Sequence, residues 1–212
     1  MLGYDLSLPP TAGDGSTVLV LLHGRGSHRG DLQALRPRIP EAWALVTPQA
    51  PHPGHPWGYG PGWAWYRYEG EDRVEQGSLD WSLGLLHRFL AGLPATLGFR
   101  PGRTVLGGFS QGGTMSTAYA LTRPGAVAGA MNLSGFLVES PAVRPEGDGA
   151  LATPLFWGHG LRDSAVPHGL AVKGRARLRA AGARLTERDY DIGHWIDPTE
   201  IADAVAFVES LA

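Results

Sequence analysis

The sequence predicts an α/β fold with a mostly parallel central sheet and helices on both faces. Three observations predict it: short apolar runs bounded by glycine and proline, longer stretches at helical period between them, and regular alternation of the two. With 212 residues the chain is about right for one mid-sized domain with a single core, so residues 1–212 are read as one domain.

Six runs read as buried strands: residues 17–22, 43–47, 104–109, 127–133, 154–157 and 185–190, most of them rich in Val, Leu or aromatic side chains. Between them, Leu79, Leu83, Leu86, Leu90 and Leu93 recur every three or four positions and mark one face of a helix. Residues 111–122 and 168–181 are further helices, with Pro167 suited to a first-turn position. The last helix carries the fullest start signal. Asp197 can cap it, Pro198 fits the first position, and Glu200 can reach back to complete a capping box before Ile201, Val205 and Val208. Two stretches break the rhythm. Residues 48–72 form a long Pro- and Gly-rich loop loaded with aromatic side chains, which is expected to pack over a pocket. Residues 141–153 hold few large apolar residues and read as a surface excursion.

Composition excludes several classes of function. Hydrophobic residues make up 43% and charged residues 18%, which is incompatible with a charge-rich disordered chain. The 31 glycines and 17 prolines show no Gly-X-Y period, so they mark tight turns and not collagen. A net charge of −2 gives no electrostatic reason to bind nucleic acid or anionic lipid. With no cysteine in the chain, disulfides, thiolate-bound metals and a thiol nucleophile are all impossible. The N-terminal residues lack a secretory pattern, and the strongest apolar run, 18–22, is too short to span a bilayer, so the expectation is a cytoplasmic protein without stable membrane insertion. The sequence leaves room for a homodimer.

Gly108-Phe109-Ser110-Gln111-Gly112 fits G-x-S-x-G and falls between a predicted strand and a predicted helix. A nucleophile on so tight a turn needs glycine on both sides, and the helix N-terminus favours the negative charge that develops there. A serine hydroxyl attacks only when a base takes its proton and a third group orients that base. The partners are expected after later strands, in the order carboxylate then histidine. Asp163 follows the strand at 154–157, and His194 follows the strand at 185–190. Ser110 is therefore the candidate nucleophile, His194 the general base and then acid, and Asp163 the carboxylate that fixes the imidazole tautomer. Asp189 and Asp191 also lie near His194 in sequence but share its strand and loop. Candidate oxyanion donors are the backbone N–H of Gln111 and, from the loop after the first parallel strand, that of Arg25.

These residues extend into a wider resemblance. Leu22-His23-Gly24-Arg25-Gly26, Trp65-Tyr66, Gly107-Gly108-Phe109-Ser110-Gln111-Gly112-Gly113, Leu133-Ser134-Gly135, His159-Gly160-Leu161-Arg162-Asp163-Ser164-Ala165-Val166-Pro167 and Gly193-His194 together resemble the phospholipase/carboxylesterase family of α/β-hydrolases, which includes the acyl-protein thioesterases. The resemblance implies an α/β-hydrolase fold, hydrolysis of carboxylic esters or thioesters without a cofactor, and an acyl pocket near the nucleophile. The core units use nearly the whole chain, leaving no room for a cap domain. Arg25 and Ser27 stand where members often carry an apolar residue and an aspartate, and Trp195 is bulky for a position next to the catalytic histidine.

Other features carry less. Gly24-Arg25-Gly26 is no dinucleotide loop, because Arg29 fills the third glycine position. His52 and His55 lack a third ligand in view, so no metal site is expected. His23 and His159, each before a glycine at a strand end, suit structural hydrogen bonds. Trp65 reads as a core seal, whereas Trp57, Tyr59, Trp63, Phe136 and Trp195 are the candidate substrate-binding side chains. The basic run 173–179 reads as a solvated helix face. The expected activity is a carboxylesterase acting on small to medium acyl chains through an acyl-enzyme. An acyl thioesterase or lysophospholipase is the alternative within enzymes, and an inactive hydrolase-shaped binding module is the alternative outside them.

Overall fold

The structure, a computed structural model, describes residues 2–138, 140–145 and 148–211. Its chain order is β1 (Tyr4–Ser7), β2 (Thr17–Leu22), a 3-10 segment (Asp31–Arg38), β3 (Ala44–Pro48), β4 (His52–Pro53), β5 (Trp63–Ala64), α1 (Gln76–Ala91), α2 (Leu93–Leu97), β6 (Arg103–Phe109) and α3 (Gln111–Thr122). β7 (Gly129–Leu133), α4 (Asp148–Ala152), β8 (Leu155–Gly160), α5 (His168–Ala180), β9 (Leu185–Tyr190) and α6 (Pro198–Glu209) complete it. Seven strands form one sheet in the order β1-β3-β2-β6-β7-β8-β9. All of its pairings are parallel except β1 against β3.

Strand periodicity sorts side chains to two cores. From β2, Val18, Val20 and Leu22 enter one core, and Leu19 and Leu21 enter the other. The first core is covered by α1, α3 and α5 through residues such as Leu79, Leu86, Met115, Tyr119, Ala171 and Leu178; the second is covered by α6 through Ile201, Ala204, Phe207 and Val208. On α1 the buried residues Leu79, Leu83, Leu86 and Leu90 form the predicted stripe. Each fully buried leucine contributes roughly 1.5–3 kcal/mol relative to exposure. Central β2 is buried throughout, whereas edge β9 carries Glu187, Arg188 and Asp189, charges that suit a strand with one side unpaired.

Several expectations change. β1 is an edge strand too short to have stood out, and the helix after the long loop stops at Ala91, with a separate turn of helix from Leu93. The long loop contains the two-stranded β4–β5 hairpin. The segment 141–153 is not a bare excursion: Val143 and Ala150 are buried and Asp148–Ala152 is helical, while Glu146 and Gly147 lie outside the described residues. The basic run is not wholly solvated. Arg175 is 2% exposed, and its guanidinium donates to the carbonyls of Trp157 and Arg188 and to Asp189. At the start of α6, the Asp197 carboxylate accepts from the Thr199 N–H as a cap should, and the Glu200 carboxyl faces back towards the Asp197 backbone without a well-formed bond to close the capping box. Glu200 turns inward against Gly158, fully buried, with neither carboxyl oxygen hydrogen-bonded.

Strands β3 and β6 flank β2 on opposite sides. The chain therefore reverses its direction of travel across the sheet at β2–β6, the kind of point where parallel sheets open a crevice beyond their carboxyl ends. The loop after β2 and the turn after β6 meet there.

Candidate active site

Ser110 sits on the turn between β6 and α3 at φ 54 and ψ −115, outside the regions a serine ordinarily occupies. The packing around it holds this conformation. The Ser110 N–H donates to the Leu133 carbonyl at 2.8 Å, and the Ser110 carbonyl accepts from the Thr114 N–H at 3.0 Å. Glycine is required on both sides. A Cβ at Gly112 would overlap the Leu22 carbonyl, and one at Gly108 would press into the Gly112 backbone.

Three side chains from distant parts of the chain converge on this turn. The Ser110 Oγ lies 3.0 Å from His194 Nε2, and His194 Nδ1 lies 2.7 Å from Asp163 Oδ2. A carboxylate can only accept, so Nδ1 carries the hydrogen and Nε2 is left to accept from the serine hydroxyl. Asp163 is itself positioned: its other oxygen accepts from the N–H groups of Ala165 and Val166 at 2.9 and 2.8 Å. The buried His159 donates from Nε2 to the Val166 carbonyl at 2.9 Å, tying that loop to the end of β8. Its pKa is lowered, chiefly by burial, so it stays neutral. Phe109 backs the His194 ring at 4.7 Å. Asp189 is engaged with Arg175 and His168, and Asp191 with Arg162, so neither competes for His194.

The loop after β2 approaches from the other side. The His23 Nε2 accepts from the Ala50 N–H at 3.1 Å, so Nδ1 carries the hydrogen and donates to the Gly24 carbonyl at 2.7 Å. Burial lowers the His23 pKa to about 4 and keeps the ring neutral. The β4–β5 hairpin clamps the same loop. Gly26 N–H donates to the Trp63 carbonyl and Trp63 N–H to the Ser27 carbonyl, both at 2.8 Å, while the Trp65 indole donates to the His23 carbonyl at 2.9 Å. The Gln111 side chain fixes the hairpin's exit by accepting from the Trp65 N–H and donating to the Tyr66 carbonyl. The candidate oxyanion donors, Arg25 N–H and Gln111 N–H, thus lie on two segments held together through one aromatic strap. Neither N–H has an acceptor among the described residues.

A cleft of about 550 Å³ opens over the triad. Gly24, Arg25, Phe109, Ser110, Phe136 and His194 line it, together with Ser27, Asp31, Tyr68, Gly70, Glu71 and residues 164–167. Of the predicted substrate-binding side chains only Phe136 is in the wall. Trp57 packs instead on His52 and Tyr59, and Trp63 serves through its backbone. Tyr59 lies behind Arg25, whose guanidinium covers its ring. Trp195 packs beside Gly193, is 55% exposed, and does not narrow the cleft. Trp65 is a fully buried core seal. The wall formed by Tyr68, Gly70 and Glu71 escaped the sequence reading because no spacing rule shows which part of a long loop faces the cleft. No three His, Asp or Glu side chains among the described residues are grouped to hold a metal ion, and no helix among them is long and apolar enough to cross a membrane.

Comparison with known proteins gives a consistent picture. The sequence profile of the phospholipase/carboxylesterase family matches residues 10–212. Acyl-protein thioesterase 1 of Emericella nidulans is 34% identical over 117 residues, which cover 53% of this chain and 49% of that protein. The match thus spans about half the length of that relative. Among solved structures, esterase PE8 aligns with a TM-score of 0.79 at 26% identity, over 100% of this chain and 99% of the other. The Bacillus cereus carboxylesterase aligns with a TM-score of 0.81 at 18% identity, over 100% and 95%, a likeness of fold.

Proposed function

The chain belongs to the phospholipase/carboxylesterase family of α/β-hydrolases, and from that premise we propose that it is a serine acyl hydrolase working through an acyl-enzyme on Ser110. The observation that carries the proposal is the continuous hydrogen-bonded line from Ser110 Oγ through His194 to Asp163. As the Ser110 oxygen attacks the acyl carbonyl, its proton passes to His194 Nε2, and Asp163 stabilises the imidazolium that forms. The Arg25 and Gln111 N–H groups stabilise the oxyanion; losing one such donor typically costs on the order of a hundredfold in rate. His194 then returns the proton to the departing alcohol or thiol, leaving the acyl group on Ser110. Water repeats the cycle: it attacks the acyl-enzyme while giving a proton to His194, and the free acid leaves as Ser110 recovers its proton. No cofactor takes part in this scheme.

Between the two ester classes, thioesters are the leading candidates. The name of the Emericella relative supports them, while that of esterase PE8 supports oxygen esters. Hydrolysis of matched oxygen and sulfur esters of one acyl chain, each corrected for its uncatalysed rate, separates the readings. We expect turnover of both with preference for the sulfur ester, and its loss in Ser110→Ala. Preference for the oxygen ester would restore the carboxylesterase reading. A folded protein that turns over neither would be a binding module.

A further inference from the structure

The Arg25 guanidinium, on the cleft wall, lies over two aromatic rings, 5.0 Å from the centre of the Tyr59 ring and 5.3 Å from that of Tyr68. The rings are themselves fixed, because the Tyr59 hydroxyl accepts from the Tyr68 N–H at 2.8 Å. A guanidinium held against ring faces keeps its N–H donors along its edge, in the fork that matches a carboxylate. Among the described residues, no carboxylate hydrogen-bonds to or ion-pairs with Arg25, which lies on the cleft wall. The cleft does hold two acidic side chains. Asp31 accepts from the Ser27 hydroxyl at 2.6 Å, and Glu71 stands exposed on the wall.

Arg25 is also the residue whose N–H is assigned to the oxyanion, so its charge reaches only a side chain's length from the reacting carbonyl. We propose that Arg25 is an anion-recognition element, and that the preferred substrates are acyl esters or thioesters bearing a carboxylate a few bonds from the scissile carbonyl. The inference rests on the serine-hydrolase reading of the same site. One guanidinium facing a cleft that also holds Asp31 and Glu71 suits a monoanion better than a doubly charged phosphate. Contact with both rings supplies preorganisation: it restricts where the guanidinium can sit, so less freedom is lost when the anion docks. Arg25 is exposed, so the attraction is open to screening by salt.

The test compares kcat/KM for matched pairs of esters, each divided by its own hydroxide-catalysed rate. In the acyl arm, the para-nitrophenyl monoester of adipic acid is set against para-nitrophenyl hexanoate. In the leaving-group arm, the butyrate ester of para-hydroxybenzoate is set against that of its methyl ester. We expect the wild-type protein to favour the anionic member of at least one pair by about tenfold at low salt, and the ratio to fall towards one as salt rises. The arm that shows the preference tells on which side of the carbonyl the anion sits. Arg25→Met should abolish the preference at low salt whatever its absolute rate. A wild-type ratio of one or less in both arms would overturn the inference, as would a preference that Arg25→Met retains. The salt series on the wild-type protein keeps the test decisive if the variant fails to fold. Ser110-dependent turnover of the neutral esters without anion preference defeats this inference alone; no turnover of any ester defeats the hydrolase reading as well.

Discussion

Replacing Gln111 by alanine removes the tie between the helix that follows the nucleophile and the aromatic strap over the oxyanion loop. The wild-type side chain accepts from the Trp65 N–H at 2.9 Å and donates to the Tyr66 carbonyl at 2.7 Å, and all three residues are buried. Alanine leaves both backbone groups without a partner and away from water. Each costs about 1–3 kcal/mol, so the loss is about 2–6 kcal/mol against a total stability of about 5–15 kcal/mol. For a chain of this length, 1 kcal/mol moves Tm by about 2–4 °C, so Tm should drop by about 4–24 °C. Thermal melting followed by circular dichroism measures it, with urea unfolding as an independent check. A drop of less than about 2 °C would refute the argument, because it would mean that the two backbone groups find other partners at little cost.

Three further outcomes follow from the same geometry. Asp163→Asn places an amide beside His194 Nδ1 and favours the wrong tautomer; turnover should fall by the order of 10⁴ with the fold retained, and a loss below about tenfold in steady-state kinetics would contradict the role given to Asp163. Gly112→Ala puts a Cβ into the Leu22 carbonyl, so soluble protein should be scarce or inactive; a fully active, equally stable variant would show that the turn relaxes freely. Burial first of all raises the Glu200 pKa to about 8, so the folded protein holds a proton that the unfolded chain releases near its ordinary value. This group's contribution to stability therefore falls as pH rises from about 4.5 to about 8. Glu200→Gln removes that slope and should gain stability relative to wild type between about pH 5 and about pH 8 in urea melts; a difference independent of pH would show that Glu200 is not buried as a neutral acid.

The sequence carried the layout of the sheet well, because the central strands are buried on both faces and so read as continuous apolar runs. The limits of β2 follow directly from such a run, and those of α3 and β9 coincide with the predicted 111–122 and 185–190, although β9 is a charged edge strand. Ser110, Asp163 and His194 were legible for a different reason: each lies just past a strand, where the chain must turn at the same edge of the sheet. What escaped depends on contacts between segments. Trp63 contributes its backbone N–H and carbonyl, which its residue type does not advertise. Arg175 is buried by carbonyl acceptors from β8 and β9, so its helix face looks solvated until those strands are placed. Glu200 had the position for a capping box, but burial against Gly158 took the side chain inward.

The most direct test of the central claim is intact-mass analysis after exposure to a fluorophosphonate, followed by peptide mapping. An activated serine should take one covalent adduct, mapped to Ser110, absent in Ser110→Ala and strongly slowed in His194→Ala. Folded wild-type protein that stays unlabelled, or an adduct mapped to another residue, would contradict Ser110 as the nucleophile.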